Sequence, residues 1–337
     1  MNIDNDTSLQ VAAIPSKWPD DRYFLTIIVK GTFPMSSDGS ADLAADQLPI
    51  FYADELNDEN GSIRFAADIA PFKPRADIAL VGCAHAPQQI PVRELDIGMR
   101  VGSLTKIIRV FGDRHWERGG LLLNLRSTIP EPFTVMDVIY ERAFGGIDQE
   151  GQESCLENLA GVGLVGKKRK QATIEGVALP NLEDPENLIK SFKDHPRPMG
   201  FGFINSAWKP RTDYLGTYDE DWKETRAPEL AKDFQFNFYN AVPLDQQISS
   251  YLTGREEVEL INLSPHGKVK FQLSPLKPTI TLSRVSDTES PAERVKMNLD
   301  TVCFIPEDNQ FYQVWRGIYQ IIDPALSEID IINVSIA

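Results

Sequence analysis

The densest group of chemically capable side chains lies in residues 208–222, WKPRTDYLGTYDEDW. Asp219 and Asp221 are two positions apart in this run and stand beside aromatic residues. Glycoside hydrolases cleave their substrates with such a pair of carboxyl groups. Neighbouring acids also form solvated turns, and a sequence does not give the distance between two carboxyl groups. A hydrolytic, carbohydrate-active enzyme that uses Asp219 and Asp221 is therefore one alternative for the function.

Other catalytic or cofactor-binding patterns are incomplete. Residues 161–168, GVGLVGKK, fit a glycine-rich phosphate loop, but neither a strand before them nor a helix after them is indicated. Cys83 and His85 would share one face of a strand, yet no second pair of ligands is spaced for zinc. No serine stands in a G-x-S-x-G sequence. We expect no metal, no cofactor and no enzymatic activity.

Arginines stand beside aromatic residues and glycines at three places along the chain. These are GDRHW with Arg114 and Trp116, YERAFGG with Arg142, and the first run with Arg211. A guanidinium group pairs with a carboxylate through two hydrogen bonds and stacks on rings with its flat face. Such residues brace loops from inside, and Arg, Trp and Tyr also dominate binding hot spots. Both roles are compatible with the sequence.

The composition excludes several classes of protein. The 337 residues carry a formal net charge of −15, with 42% hydrophobic and 25% charged residues, which is typical of a globular protein. General binding to nucleic acid needs clustered lysine and arginine, and only residues 167–170, KKRK, form a short basic run. The longest apolar stretch is too short to span a membrane, and three scattered cysteines form no disulfide framework. Because the acidic beginning lacks the features of a secretory signal, we expect a cytoplasmic protein without nucleic-acid or membrane partners.

The periodicity of the chain indicates a mostly β fold, either a β-sandwich or a distorted barrel of antiparallel strands. Runs rich in β-branched and aromatic residues predict strands at 23–33, 76–86, 92–102, 104–114, 257–265, 268–274, 279–285, 294–308 and 310–322. Residues 133–144 fit a strand or a short helix. Gly102 and Ser103 are expected to form a hairpin turn between two of the strands.

The middle of the chain has a different character. Residues 145–250 are rich in Gly, Pro, Asn and Asp, which predicts a long loop-rich region with few short helices, and only 185–192, PENLIKSF, indicates a helix. Its many aromatic residues argue against disorder. We therefore expect one compact β-rich unit over 20–322, with N-terminal strands in 20–144, the loop-rich aromatic region in 145–250 and C-terminal strands in 255–322.

Several stretches occur in an order that resembles a known bacterial family. They are DIAPFKPRADIALVGCAHAP, GDRHW, YERAFGG, LPNLEDP, the run at 208–222, RAPELAKDFQFNFYNAVPLDQQ and LDTVCFIPED. Each stretch is weak evidence alone. Together they cover most of the chain in colinear order, and they resemble the domain-of-unknown-function 2169 family.

This resemblance implies a role in type VI secretion. It implies an adaptor or chaperone that binds a secreted toxin effector in the bacterial cytosol and helps load it onto the spike and tip proteins. Binding would be stoichiometric, with no bond made or broken; a purely structural component of the secretion apparatus is a third alternative. For contact with the partner we select Trp208, Arg211, Tyr214, Tyr218, Trp222, Arg114 and Trp116.

Overall fold

A computed structural model describes residues 1–36, 42–57, 61–119, 124–284, 292–322, 325–326 and 329–336. The strands before the central region are β1 (Asn2–Asn5), β2 (Gln10–Lys17), β3 (Tyr23–Pro34), β4 (Glu55–Leu56), β5 (Ile63–Phe65), β6 (Ala76–Leu80), β7 (Cys83–His85), β8 (Glu94–Val101), β9 (Leu104–Phe111), β10 (Trp116–Gly119), β11 (Asn124–Ser127) and β12 (Val135–Asp137). The central strands are short: β13 (Phe144–Gly145), β14 (Ile147–Asp148), β15 (Glu153–Ser154), β16 (Val162–Gly163), β17 (Leu182–Glu183) and β18 (Gln247–Ile248). The last strands are β19 (Glu257–Ile261), β20 (Lys268–Gln272), β21 (Pro278–Arg284), β22 (Glu293–Val295), β23 (Met297–Ile305), β24 (Gln310–Ile321) and β25 (Ile329–Ile336).

Helices are few and short. In the described part of the chain the one α-helix is α1 (Glu220–Thr225). The 3-10 helices are Pro87–Gln89, Tyr140–Arg142, Gln171–Thr173, Arg211–Tyr214, Phe236–Tyr239, Leu244–Gln246 and Pro306–Asp308. No helix of the described residues has the length and apolar character needed to cross a membrane. The predictions of a mostly β fold and of a loop-rich centre with few short helices are confirmed.

Three larger sheets organise the strands. Their orders are β18-β6-β23-β24-β3-β2, β17-β9-β8-β19-β20 and β1-β25-β21-β22. Neighbouring strands in them are antiparallel, except that β6 runs parallel to β23 and β1 runs parallel to β25. β1 and β25 lie outside the predicted boundaries of 20 and 322, yet they pair within the third sheet.

The six-stranded and five-stranded sheets face each other across one large core. The ring of Phe271 in β20 lies 5.7 Å from that of Phe304 in β23 and 5.3 Å from that of Phe311 in β24, measured between centroids. Side chains of both sheets belong to the same buried cluster. Because none of the described sheets closes on itself, this part of the fold is a sandwich.

The predicted hairpin is present. Strands β8 and β9 pair from Glu94↔Phe111 to Val101↔Leu104, so Gly102 and Ser103 form the turn. Gly102 has a φ of 55°, in the left-handed region that glycine adopts without strain. Residues 133–144 divide into the short strand β12 and a 3-10 helix.

The helix predicted at 185–192 is wrong. Several backbone N–H groups there donate to carboxylates instead of to carbonyls one turn back. Ile189 donates to Glu183, and Lys190 and Ser191 both donate to Asp194. Because acidic side chains offer the backbone these local partners, the segment forms turns.

Strand β3 is buried on both faces along nearly its whole length. It pairs with β24 from Tyr23↔Ile321 to Pro34↔Gln310 and with β2 on its other side. Leu25, Ile27 and Val29 point into the sandwich core. The alternate side chains point to the opposite face, where a second layer of loops covers the sheet.

That second face carries buried charges. Lys30 Nζ lies 2.8 Å from an Asp68 carboxylate oxygen and 3.6 Å from the centre of the Phe51 ring. Burial lowers the pKa of Lys30, and the nearby Asp68 carboxylate opposes this effect. Buried charges are costly unless they are paired and hydrogen-bonded, so the pair holds the loop of Asp68 against the sheet.

Two further ion pairs extend this layer. Lys73 Nζ lies 2.8 Å from an Asp77 oxygen, and Arg316 Nε lies 2.7 Å from an Asp300 oxygen. Arg316 also donates to the carbonyls of Asp68 and Ala70. Residues 68–77 are therefore held along this face of the six-stranded sheet by charged groups at both ends.

We predict that Asp68→Asn lowers the free energy of unfolding by about 3–5 kcal/mol, because the Lys30 ammonium would stay buried without its counter-charge. Urea unfolding measures this loss. Asp20→Asn is the matched control, since it removes a carboxylate from an exposed pair with Arg22 and should have a far smaller effect. Equal losses in the two variants would contradict the role of the buried pair.

Candidate functional site

Trp208 lies in the main hydrophobic core and is only 4% exposed. Its ring meets that of Tyr140 edge-on, with 6.0 Å between centroids. A side chain buried in this way does not reach a partner protein. Its selection as a contact residue therefore has no support in the folded chain, and its role is packing.

Arg211 braces the central loops from inside. Its guanidinium donates to the Phe238 carbonyl at 2.9 Å and to the Ile204 carbonyl at 2.8 Å, and it lies 4.9 Å from the centre of the Phe238 ring. Burial lowers the pKa of this guanidinium. The group joins the 3-10 helix Arg211–Tyr214 to two other segments of the central loops, so bracing accounts for it.

Arg114 and Trp116 are also internal. Arg114 forms an ion pair with the buried Glu183 and lies 3.8 Å from the centre of the Phe111 ring. Burial raises the pKa of Glu183 despite the attraction of the guanidinium. Trp116 is 2% exposed and packs edge-on against Phe192. The contacts of both residues support a structural role inside the protein.

Tyr218 and Trp222 form the accessible part of the predicted set. Their rings lie 4.8 Å apart in an edge-on arrangement, Tyr218 is 39% exposed, and Trp222 is partly exposed. The Trp222 indole donates to the Glu229 carbonyl at 2.8 Å, which fixes its orientation. Tyr214 is half-buried, and its carbonyl accepts from the Gln235 N–H. The structure thus leaves one aromatic pair at the surface of the run 208–222.

The two acids of the hydrolase alternative lie at the start of helix α1. Asp219 is the N-cap, and its carboxylate accepts from the Trp222 N–H at 3.0 Å. Asp221 lies in the first turn, and both side chains are exposed. Aspartate is favoured at both places because it satisfies free N–H groups and interacts well with the helix dipole. This geometry explains the acids structurally and does not favour hydrolysis.

An open groove of about 730 Å³ lies at the surface of the described structure. GDRHW contributes Asp113, Arg114 and His115, YERAFGG contributes Glu141 and Arg142, and LPNLEDP contributes Asn181. Three of the stretches that are distant in sequence therefore meet here. We call this concavity the motif groove.

Asn181 holds the motif groove together. Its backbone N–H donates to the Arg142 carbonyl, and its carbonyl accepts from the Phe111 N–H, both at 2.8 Å. Its side-chain amide donates to the Phe111 carbonyl at 3.0 Å and to the Asp113 carboxylate at 2.9 Å. The residue is 5% exposed. One buried amide thus fixes the relative positions of the three stretches.

The rim of the motif groove is charged. Arg142 is about a third exposed and makes long contacts of 3.3–3.4 Å with Asn181 and Asp113. His115 is exposed, and Glu141 accepts from the N–H and hydroxyl groups of Ser62 at 2.6 and 2.7 Å. A loosely held guanidinium beside acids suits contact with a polar surface.

These groove residues, apart from Arg114, were missed as sites from the sequence. One feature of the sequence could have indicated them, namely the alternation of residue types along GDRHW. Arg114 and Trp116 are buried, whereas Asp113 and His115 between them are exposed. In an extended segment, side chains alternate between the two faces. Arg114 and Trp116 are two positions apart and therefore lie on the inner face of the segment. Their neighbours Asp113 and His115 lie on the outer face.

Cys83 lies beside the motif groove without being an activated nucleophile. Its Sγ donates to the Asp137 carboxylate at 3.3 Å, and Asp137 lines the groove. Burial and then this carboxylate raise the pKa of the thiol to about 12. The thiolate is the reactive form, so the thiol is inert near neutral pH. No group of three or more His, Cys, Asp or Glu side chains in the described segments is arranged to hold a metal ion.

We predict that the two tryptophans of the run 208–222 differ in their effect on stability. Trp208→Ala should lower the free energy of unfolding by about 3–5 kcal/mol, because it leaves a cavity in the core. Trp222→Ala should cost clearly less, since its ring is partly in water already. Chemical unfolding of both variants measures the difference. A loss in Trp222→Ala as large as that in Trp208→Ala would show that Trp222 is a core residue.

We also predict that Asp137→Asn makes Cys83 more reactive. Removal of the negative charge should lower the pKa of the thiol and raise the rate of alkylation by iodoacetamide at pH 8, followed by mass spectrometry of the native protein. Asp113→Asn is the control, because its carboxylate bonds to Asn181 and Arg142 instead. Unchanged labelling of Cys83 in Asp137→Asn would show that the carboxylate does not govern the thiol.

Comparison with known proteins gives one match. No curated protein and no solved structure matches the chain. The model of the family described as "Uncharacterized protein conserved in bacteria (DUF2169)" matches residues 20–316. This match covers most of the sandwich, the loop-rich centre and the motif groove. The chain therefore belongs to the domain-of-unknown-function 2169 family.

Proposed function

We propose that the protein is a non-enzymatic adaptor or chaperone of a type VI secretion system. In the bacterial cytoplasm it binds a secreted toxin effector and helps load it onto the spike and tip proteins. The observation that carries this proposal is the motif groove, because three of the stretches on which the family resemblance rests converge on one open concavity. Segments far apart in sequence are brought together there by the fold.

The groove suits binding better than turnover. Its buried polar groups are used internally, since Arg114 pairs with Glu183 and the Asn181 amide donates to the Phe111 carbonyl and the Asp113 carboxylate. Its exposed side chains include Asp113, Glu131, Asp137 and His115, and the partly exposed Arg142 adds a positive charge. Mixed polar groups around a rigid hollow give specificity and orientation to a protein partner. Such a partner would be held in a fixed pose and released unchanged.

A second contact is proposed at helix α1. Tyr218 and Trp222 present an aromatic pair at the surface, and the bond from the Trp222 indole to the Glu229 carbonyl holds it in place. Rigid aromatic side chains lose little conformational entropy on binding and are enriched at hot spots. We expect this pair to contact the effector from outside the groove.

The proposal predicts that Arg142→Ala weakens co-purification of the effector with the tagged protein, because it removes the most accessible cation of the groove. Arg255→Ala is the matched control, since Arg255 is exposed, carries the same charge and does not line the groove. Effector recovery is quantified by mass spectrometry after affinity purification from the native cell. Thermal unfolding of both variants confirms that each remains folded.

Recovery of a toxin together with spike protein by the unmodified chain supports the adaptor function. Recovery of spike protein without any toxin would favour a structural component of the apparatus. Recovery of neither would overturn the proposal, and equal losses in Arg142→Ala and Arg255→Ala would remove the groove as the contact site.

A further inference from the structure

A second concavity, of about 440 Å³, lies where the four-stranded sheet meets the six-stranded sheet. The chain lines it as it passes from β22 into β23, together with the start of β21 and residues 251–253. Its floor includes the buried side chains of Leu252, Leu299 and Trp315. It shares no lining residue with the motif groove. We call it the basic cavity.

The basic cavity is positively charged in a protein whose net charge is −15. Lys277, Arg294 and Lys296 line it, and the lining residues that the structure describes include no aspartate or glutamate. Arg294 donates to the Thr279 hydroxyl at 3.2 Å. Within the described part of the chain, none of these three cations forms an ion pair with a carboxylate. Their mutual repulsion would be relieved by a bound anion.

Two exposed lysines elsewhere in the protein are neutralised. Lys268 and Lys270 of β20 lie 2.6 and 3.2 Å from the carboxylate of Glu259, which is the partner of Lys270 on the neighbouring strand β19. On this part of the sheet surface, the lysines are paired with a nearby carboxylate. The basic cavity differs because its cations converge on a hollow that is lined by no acidic side chain of the described segments.

The spacing of the cations matches an extended chain. Arg294 in β22 and Lys296, which directly follows β22, are exposed on either side of the buried Val295, so both lie on the side of the chain opposite to Val295. β21 alternates in the same way, with Lys277 exposed before the buried Pro278, and Thr281 pairs with Arg294. Residues two apart on a strand are about 7 Å apart. An extended peptide repeats its own side chains at the same interval, whereas one small anion does not span it.

We propose that the basic cavity docks an extended acidic segment of a partner protein, with carboxylates at alternate positions paired to Arg294, Lys296 and Lys277. Asn298, Thr253 and Tyr251 add polar groups at the wall. The proposal goes beyond the adaptor function and does not depend on it. It specifies the chemistry of the bound segment and does not specify which protein carries that segment.

Fluorescence anisotropy of two labelled synthetic peptides tests the proposal. One peptide alternates glutamate with threonine, and the other carries glutamine in place of each glutamate. The glutamate peptide should bind the full chain, and its affinity should fall as salt is raised. The glutamine peptide should bind at least about tenfold more weakly, since each lost ion pair contributes modestly and several are lost together. Absence of binding by the glutamate peptide would overturn the proposal.

Lys277→Gln/Lys296→Gln should weaken binding of the glutamate peptide by about three- to tenfold. Lys190→Gln/Lys232→Gln is the matched control, because it removes two exposed lysines outside the cavity and should leave the affinity within about twofold. Equal losses in the two double variants would show nonspecific attraction and refute the site. Arg142→Ala should leave peptide binding intact, which separates this site from the motif groove.

Competition with inorganic phosphate tests whether the cavity instead binds a small anion. At matched ionic strength, phosphate and chloride should displace the glutamate peptide equally if the cavity recognises the spaced carboxylates. Displacement by phosphate well beyond that by chloride would show a site for small anions, and the proposal would then be wrong.

Discussion

The pairing of buried charges on one face of the six-stranded sheet is the constraint on which the rest of the structure depends. A sheet covered on both faces is normally apolar on both, but here Lys30, Asp77 and Arg316 point into the second layer. Each of these charges needs a partner, because an unpaired buried ion costs several kcal/mol. The partners of Lys30 and Asp77 are Asp68 and Lys73. Loops with little regular hydrogen bonding are thereby held on the sheet, and the aromatic residues of the second core close over them.

Buried polar groups with internal partners also hold the motif groove together. Arg114 with Glu183 and the hydrogen bonds of Asn181 fix loops against the β17 edge of the five-stranded sheet. Most arginines and tryptophans in the family stretches are therefore supports, and the surface that they support is formed by their neighbours. A protein built in this way presents a rigid, polar and irregular surface, which is suited to recognising another protein. The groove and the basic cavity are two separate features of that surface, one of mixed charge and one positive.

The strands were predictable because each carries its own signal. β3 and the β8–β9 hairpin have β-branched alternation and a glycine at the turn, and both formed where expected. The local sequence pattern predicted the wrong structure where acidic side chains accepted hydrogen bonds from backbone N–H groups. Asp194 and Glu183 accept the N–H groups that a helix at 185–192 would need, whereas Asp219 caps the short helix α1. Whether a carboxylate starts a helix or replaces its hydrogen bonds depends on contacts that periodicity does not contain.

The sequence by itself determined the mostly β class, the main strands, the loop-rich centre and the family resemblance, because these follow from local composition, period and order. Only the tertiary structure decided which polar residues are internal. Trp208, Arg211, Arg114 and Trp116 have the composition of a binding surface, yet they lie inside, and Asp113, His115 and Arg142 lie beside them at the surface. The basic cavity likewise depends on β21, β22 and β23 meeting in space. Burial and convergence arise from contacts between residues far apart in the chain, and those contacts exist only once the chain has folded.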